Sequence, residues 1–431
     1  MVFDDTDEAR PVVRGLGHAL WRMVPPVYRR AALSHVTAAL TPFPALPGAA
    51  AAVGMVVAGE FSRASGIGAV ARLMAQAASG LGTPVWRMDL APLAGEAGEL
   101  PPPEDAPAAE GAPLVVHVNA PLLPLTLRRM GRTVLAGRRI VGYWAWELPS
   151  VPPGWRPGAA FAHDVWVPSR FVAAAVEPLA PGRVRVVTPP VAAAPPVPAR
   201  LGRGDFGLPE GAVTVLVSFS LASSFARKNP LGAIAAFRAA FGARADRVLV
   251  LKVGHANHAL GDFARLRAAA AGAGNIRIET RILPAADSHA LTDCCDIVLS
   301  LHRAEGFGLV PAEAMLLGKP VIATGWSGNL DYMDAESAAL VGHRLIPVED
   351  DRQVYRDSLW AEPDMAEAVA HLRRLASDAE ARVALGGAGG AGRRGAAERG
   401  VVDEGDARDW GAGVRGADGC VRHDGRERPV R

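Results

Sequence analysis

The sequence predicts an α/β protein built as two doubly wound, parallel-sheet domains. Three observations carry this. Short runs of β-branched and Leu residues alternate with helix-period segments along most of the 431 residues, the pattern of repeated βαβ units. A Pro-rich stretch at 191–200, VAAAPPVPAR, interrupts the alternation, which then restarts. From Asp296 to Leu317 a strand, a Gly-x-Gly loop and a helix follow one another directly, the arrangement that holds a ligand at the carboxyl end of an open sheet.

In the first half, VGMVVA is the opening strand, and Gly66-Ile67-Gly68 opens a helix whose apolar face is Ile67, Val70, Leu73, Met74 and Ala77. TPVWRMDL is the next strand, so the chain begins as a Rossmann-like βαβ unit. Gly66, Gly68 and Ala71 also fit a dinucleotide fingerprint, with Asp89 at a ribose-binding distance. An NAD-dependent oxidoreductase is therefore a competing reading. Against it, the polar loop Gly59–Ser65 is long where a dinucleotide turn is short. LVVHVNA is another strand, ending in His117 and Asn119. A His there is more often structural, but its place at a strand's carboxyl end favours a ligand role. Arg139–Tyr143 runs into WAWELPSVPPGW. Its Trp144, Trp146 and Glu147 either pack under a loop or form a platform on which a sugar face could stack, and both readings stay open. DVWVPS, a helix over Arg170–Val176 and RVRVVTPP complete this half.

The second half restarts with VTVLVSF, then the polar loop SLASSFARKNP carrying Arg227 and Lys228. A helix from Pro230, the strands RVLVLKV and NIRIE, and helices over 262–271 and 287–293 lead to the central unit. There, Asp296–Ser300 is a buried-strand run and Leu309–Leu317 a helix with Pro311 in its first turn. Gly318 and Pro320 stop it. Glu305 precedes the helix and Glu313 lies inside it, with seven residues between. The amides of Gly306, Phe307, Gly308 and Leu309 fall at the helix N-terminus, which suits a phosphate, and Glu313 can accept bonds from sugar hydroxyls. Over 360–385 Met365, Val369, Leu372 and Leu375 share one helix face.

The boundaries expected are an extension at 1–45, a first domain at 46–190, a linker at 191–200, a second domain at 201–385 and a disordered tail at 386–431. The tail is rich in Gly, Arg, Ala and Asp and has no sustained period. Two domains suit the length, and 50% hydrophobic residues are ample for two cores. A net charge of +2 provides no polyanion-binding field, so nucleic acid is disfavoured as a partner. Cys294, Cys295 and Cys420 have no metal-ligand spacing and fit a reducing cytoplasm. No apolar run reaches the roughly 20 residues that span a bilayer, and the acidic start, MVFDDTDEAR, is unlike a signal peptide. Residues 14–40 mix Trp21, Met23, Tyr28 and Leu33 with Arg14, Arg22, Arg29 and Arg30. Such a stretch could rest on the inner face of the plasma membrane, but Pro25 and Pro26 interrupt any helix and a packed or loose extension is the plainer expectation.

EGFGLVPAE resembles the Glu-x7-Glu signature of retaining, nucleotide-sugar-dependent glycosyltransferases of the GT-B fold, the family 4-like "group 1" enzymes. The following GKPVIATGWSGNLDYM is similar to the same family's pattern, and the resemblance covers roughly residues 50–380. It implies a nucleotide diphosphate sugar as donor, a glycan or glycolipid as acceptor, and transfer with retention. It implies a catalytic set of Glu305, Lys228 and Arg227. The donor would meet Gly306, Phe307, Gly308, Leu309, Glu313, the backbone at Ile282, and Gly66 and Gly68 across the cleft. The acceptor would meet His117, Asn119, Trp144, Trp146 and Glu147. No Asp-x-Asp motif stands in a suitable loop, so metal independence and no cofactor are expected. The sequence departs from the family at Ala222, where an Arg is common; either Arg227 is the substitute or this subgroup binds phosphate differently. The family's C-terminal helix crosses back to the first domain, and no segment here reads as that helix. A catalytically inactive sugar-binding protein is the alternative these departures raise.

Overall fold

The computed structural model describes residues 26–44, 54–95, 98–103, 111–349, 355 and 357–398. Two parallel six-stranded sheets organise the chain. The first holds β1 (Met55–Gly59), β2 (Val85–Asp89), β3 (Leu114–Val116), β4 (Ile140–Tyr143), β5 (Asp164–Val167) and β6 (Val184–Val186) in the order β2-β1-β3-β4-β5-β6. β1, β3, β4 and β5 are buried along their whole length, which is why they read as largely apolar runs. The second holds β7 (Val213–Ser220), β8 (Arg247–Gly254), β9 (Ile276–Glu279), β10 (Ile297–Ser300), β11 (Val321–Thr324) and β12 (Ala339–Val341) in the order β12-β11-β10-β7-β8-β9. The strand order reverses between β7 and β10, so the loops leaving these neighbours lie at the sheet's switch point, where open sheets bind ligands.

The longer helices are α1 (Pro26–Leu40), α2 (Gly66–Gly80), α3 (Leu123–Met130), α4 (Arg170–Val176), α5 (Pro230–Phe241), α6 (Leu260–Ala270), α7 (Ala285–Cys294), α8 (Leu309–Leu316), α9 (Met365–Ser377) and α10 (Ala379–Glu398). Caps fix several starts. Ser65 accepts from Gly68 N, Ser169 from Val172 N, and Asp364 from Ala366 N and Glu367 N, each satisfying helix donors that lack an internal partner. Gly68 is required for packing, since a β-carbon there would lie 2.3 Å from the Glu60 carbonyl oxygen.

The structure corrects the sequence reading at four places. Pro26 opens α1 instead of preventing a helix, because a proline fits the first turn. The described part of the extension docks on the first domain: Ser34 Oγ donates to Gly154 O at 2.8 Å, Thr41 Oγ1 to Pro124 O at 3.2 Å, and Phe43 stacks on Phe161 at 4.6 Å. Residues 1–25, with Arg14, Trp21, Arg22 and Met23, lie outside the described residues. Second, the start of the expected disordered tail is helical, since α10 runs to Glu398; residues 399–431 lie outside the described residues. Its glycines allow close approach: a β-carbon on Gly386 would sit 2.0 Å from Gly318 O. The helix packs on α8 and α9 of its own domain. Third, the polar loop after β7 contains a helical turn, Phe225–Lys228, capped by Ser224.

Fourth, an antiparallel hairpin, β13 (His343–Pro347) with β14 (Leu359–Pro363), follows β12. The sequence reading assigned no strands there. Trp360 of β14 is buried in the first domain's core cluster, with Ile346 and Val348 packed against it. The hairpin therefore ties the second half of the chain to the first.

Candidate active site

The turn after β7 and the loop after β10 meet at the switch point of the second sheet. Asn229 starts it: its left-handed backbone, φ 50° and ψ 47°, reverses the chain between the short turn and α5, and its Nδ2 donates to Leu301 O at 3.0 Å. Arg303 N donates to Arg227 O at 2.7 Å, and Arg303 Nη1 donates to Ala226 O at 2.7 Å. Arg303 is held in turn by Glu362 of β14 at 2.7 Å and lies over the Trp360 ring. The two loops are thus one bonded unit, and the hairpin braces it.

Within this unit Glu305 faces two cations. Lys228 Nζ donates to Glu305 Oε1, and Arg227 Nη1 lies 3.3 Å from Glu305 Oε2. Burial would raise the Glu305 pKa, but the charges of Lys228 and Arg227 outweigh it and hold the carboxyl down at about 2. Burial lowers the Lys228 pKa, with Arg227 adding to the effect and Glu305 opposing it. Opposite charges close together favour ionised forms, and desolvation disfavours them.

Arg227 is more enclosed than an exposed phosphate ligand. Its side chain is 3% exposed. Nη1 donates to Ala304 O and Nη2 to Ser223 Oγ, both at 2.7 Å. Nη2 also lies 3.3 Å from Glu147 Oε1. Burial works against its charge, but Glu147, Tyr355 and Glu305 overcome that and raise its pKa. Tyr355 Oη donates to Glu147 Oε2 at 3.1 Å. Arg227 therefore joins Glu147 of the first domain to Glu305 of the second, and Glu147 is a partner of this cation and not a free sugar ligand.

The Gly loop is clamped from both domains. Ser169 Oγ donates to Gly306 O at 2.6 Å, and a β-carbon on Gly306 would lie 2.5 Å from Trp146 O. Gly308 has φ 89° and caps α8, with Tyr332 Oη donating to its carbonyl at 2.6 Å. Phe307 is buried beside Val191 and Ala312, so what the loop offers a ligand is backbone. Leu309 packs against the first domain's cluster around Met55 and Val57. Glu313 lies in α8 with 26% of its side chain exposed, and its Oε1 is 3.9 Å from His289 Nε2. Ile282, in the loop after β9, is 43% exposed.

The remaining first-domain residues divide. Gly66 is exposed at the start of α2 with open space before it, whereas Gly68 is buried by Glu60 and Arg63. The intervening loop is folded in by Arg72, whose Nη1 donates to Phe61 O at 2.8 Å and Arg63 O at 2.9 Å. That is not the short open turn of a dinucleotide site. Asn119 Oδ1 accepts from Ala145 N at 2.9 Å and so orients the Trp loop. Trp144 is fully buried and meets Trp155 edge-on, and Trp146 donates Nε1–H to Ser150 O at 2.8 Å. These rings are core; no exposed stacking platform forms from them.

His117 is fully buried and stacks on Tyr143 at 4.6 Å, with neither ring nitrogen hydrogen-bonded. Burial pushes its pKa down to about 3. Between about 3 and the ordinary 6.5 the unfolded chain binds a proton there that the folded chain does not, so this residue makes stability rise with pH in that window. His117→Phe should remove up to about 1.4 kcal/mol per pH unit from that slope. Denaturant titrations at pH 4, 5 and 6 measure it, and an unchanged slope refutes the assignment.

Sequence reasoning passed over Ser169, Ser327, Asn329, His302 and Tyr355. Ser and Asn near a Gly-rich loop are too common to single out, and His302 faces Asn329 Oδ1 at 3.1 Å only in the fold. The four loop features it did single out, Arg227, Lys228, Glu305 and the Gly306–Leu309 amides, are brought together.

Two six-stranded parallel sheets flanked by helices define a GT-B-type fold. Residues 178–385 match the family model described as "Family 4 Glycosyltransferase in conflict systems". Among solved structures, Anabaena HepE in complex with UDP and glucose aligns with TM-score 0.53 at 13% identity, over 84% of this chain and 100% of that one. WaaG, a glycosyltransferase involved in lipopolysaccharide biosynthesis, aligns with TM-score 0.52 at 14% identity, over 85% and 100%. A glycosyltransferase from Rickettsia africae aligns with TM-score 0.52 at 13% identity, over 78% and 92%. Of another match, Staphylococcus aureus TarM, the chain spans about half the length, 55%. No curated protein matches the sequence. The chain has the GT-B fold, and its second half matches a family 4 glycosyltransferase model. Among the described residues no helix is long and apolar enough to cross a membrane.

Proposed function

We propose that the protein transfers a hexose, with mannose one candidate, from a nucleotide diphosphate sugar to a hydroxyl of a glycan or glycolipid, with retention. The observation that carries this is the ionised Glu305 held between Lys228 and Arg227 beside the amino end of α8. Departure of a nucleoside diphosphate leaves positive charge on the anomeric carbon and negative charge on the leaving group. Glu305 faces the first, while Lys228 and the amides around Gly308 face the second. Glu313, one turn into α8, would hold the ribose, with the nucleotide base beside the backbone at Ile282. Gly66, exposed across the cleft, would approach the donor or acceptor. With these groups carrying the charge, a metal is not required, and chelation should leave the rate unchanged. We place the work at the cytoplasmic side of the membrane, where surface polysaccharide or lipopolysaccharide precursors are built. The description of the matched family favours a second setting, a conflict system; labelled-donor transfer to envelope glycans against other cell fractions separates the two.

A thermal-shift screen tests the donor. A nucleotide sugar at about 100 times its dissociation constant should stabilise the fold by about 2.7 kcal/mol, and NAD(H) should not. The reverse pattern would revive the oxidoreductase reading. Binding without transfer or donor hydrolysis would leave a sugar-binding protein.

A further inference from the structure

The loop after β11 reaches back to the catalytic carboxylate. Ser327 has φ 83° and ψ −151°. The other described non-Gly residues with positive φ are Asn229, His255 and Asp357, at φ 50°, 53° and 56°, near the ordinary left-handed region. Ser327 lies outside it, in a region that is essentially glycine's own and is strained for a residue with a side chain. Such strain persists only where neighbours hold it.

The neighbours are specific. Ser327 Oγ accepts from Glu305 N at 2.8 Å, and Gly328 N donates to Glu305 O at 2.9 Å. Both backbone groups of Glu305 are therefore held by consecutive residues of one loop. A β-carbon on Gly328 would lie 2.1 Å from Gly306 O, so the two loops touch backbone to backbone. Asn329, fully buried, locks the strained turn: its Nδ2 donates to Thr324 O at 3.0 Å, and its Oδ1 faces His302 Nε2 at 3.1 Å and Ser327 Oγ at 3.5 Å. His302 Nδ1 lies 3.0 Å from Ser300 Oγ, which returns the network to the end of β10.

The geometry points to Ser327 as a positioning residue: its strained backbone presents Oγ to the Glu305 amide and sets the direction of the Glu305 carboxylate toward the donor sugar. This rests on the role proposed above for Glu305. A glycine would occupy the same backbone conformation without strain, so a serine there spends stability to keep a hydroxyl.

Ser327→Gly removes hydroxyl and strain together; Ser327→Ala removes the hydroxyl and keeps the strain. With the donor selected by the thermal-shift screen and hydrolysis or transfer as readout, both variants should lose about tenfold in kcat, the worth of one positioning hydrogen bond. Donor KM should stay within about twofold, because the nucleotide contacts are elsewhere. The Gly variant should be the more stable of the two in denaturant while sharing the same kcat loss. Wild-type kcat in Ser327→Gly, or activity that simply follows stability across the pair, overturns the inference. If Ser327→Ala does not fold, the Gly variant alone decides. Glu305→Gln run in parallel separates the two levels: full activity there defeats the catalytic reading itself, whereas loss there with full activity in Ser327→Gly defeats only this one.

Discussion

Glu305→Gln and Lys228→Ala should each lower transfer by about 10²–10³-fold, the cost of removing one preorganised electrostatic group. The loss should fall on kcat, since the charge they manage develops as the glycosidic bond breaks. Glutamine keeps the volume and a hydrogen-bonding oxygen for Lys228 but not the charge. The carboxyl pKa of about 2 also fixes the pH behaviour. A depressed folded pKa contributes stability that is complete above the ordinary value of 4.5 and is lost as pH falls toward about 2. No loss of transfer between pH 5 and 7 should therefore trace to Glu305. Steady-state rates for both variants against wild type check this, and near-wild-type rates in both would remove the site assignment.

What the sequence made legible was the part encoded locally. β7 and β10 are rich in Val, Ile and Leu, and the Glu-Gly-Phe-Gly loop sits directly between a strand and a helix. What it hid depends on partners distant in the chain. Arg227 and Lys228 look alike as neighbours in a polar loop, but Arg227 turns inward because Glu147, 80 positions earlier, and Ala304 O, 77 later, receive it. Trp144 and Trp146 could equally have been a platform or a core until Trp155 and Tyr355 were seen against them. The hairpin was missed because β13 is almost wholly exposed and carries no buried alternation; its anchor is mainly Trp360 on β14. Helix α10 contradicts its own propensity. Glycines normally weaken a helix by close to 1 kcal/mol each, but here the missing side chain at Gly386 lets the helix lie against the Gly318 backbone.

The enclosure of Arg227 makes its replacement the most destabilising change expected in the site. A surface ion pair is worth about 0–1 kcal/mol. Arg227 is a different case: its side chain is 3% exposed, it donates to Ala304 O and Ser223 Oγ, and it faces two carboxylates at 3.3 Å each. Arg227→Ala leaves Glu147 and Glu305 without that countercharge and the Ala304 carbonyl without its donor. Breaking a buried pair on one side costs about 3–5 kcal/mol. Arg227→Lys should recover only part of this, because one ammonium cannot reproduce the planar fork that meets four acceptors at once. Urea midpoints at constant m-value measure the loss, and a shift worth less than about 1 kcal/mol would show that the guanidinium is solvated and the proposed bridge between the domains absent. Glu147 separates the bridge from simple loss of packing. If Arg227 acts through Glu147, then Glu147→Gln in the Arg227→Ala background should cost less than Glu147→Gln alone, or even restore stability by removing an unpaired charge. Coupling between contacting residues runs to about 0.5–3 kcal/mol; a value near zero would mean that the two domains are joined through the Trp360 hairpin and Ser169, and not through Arg227.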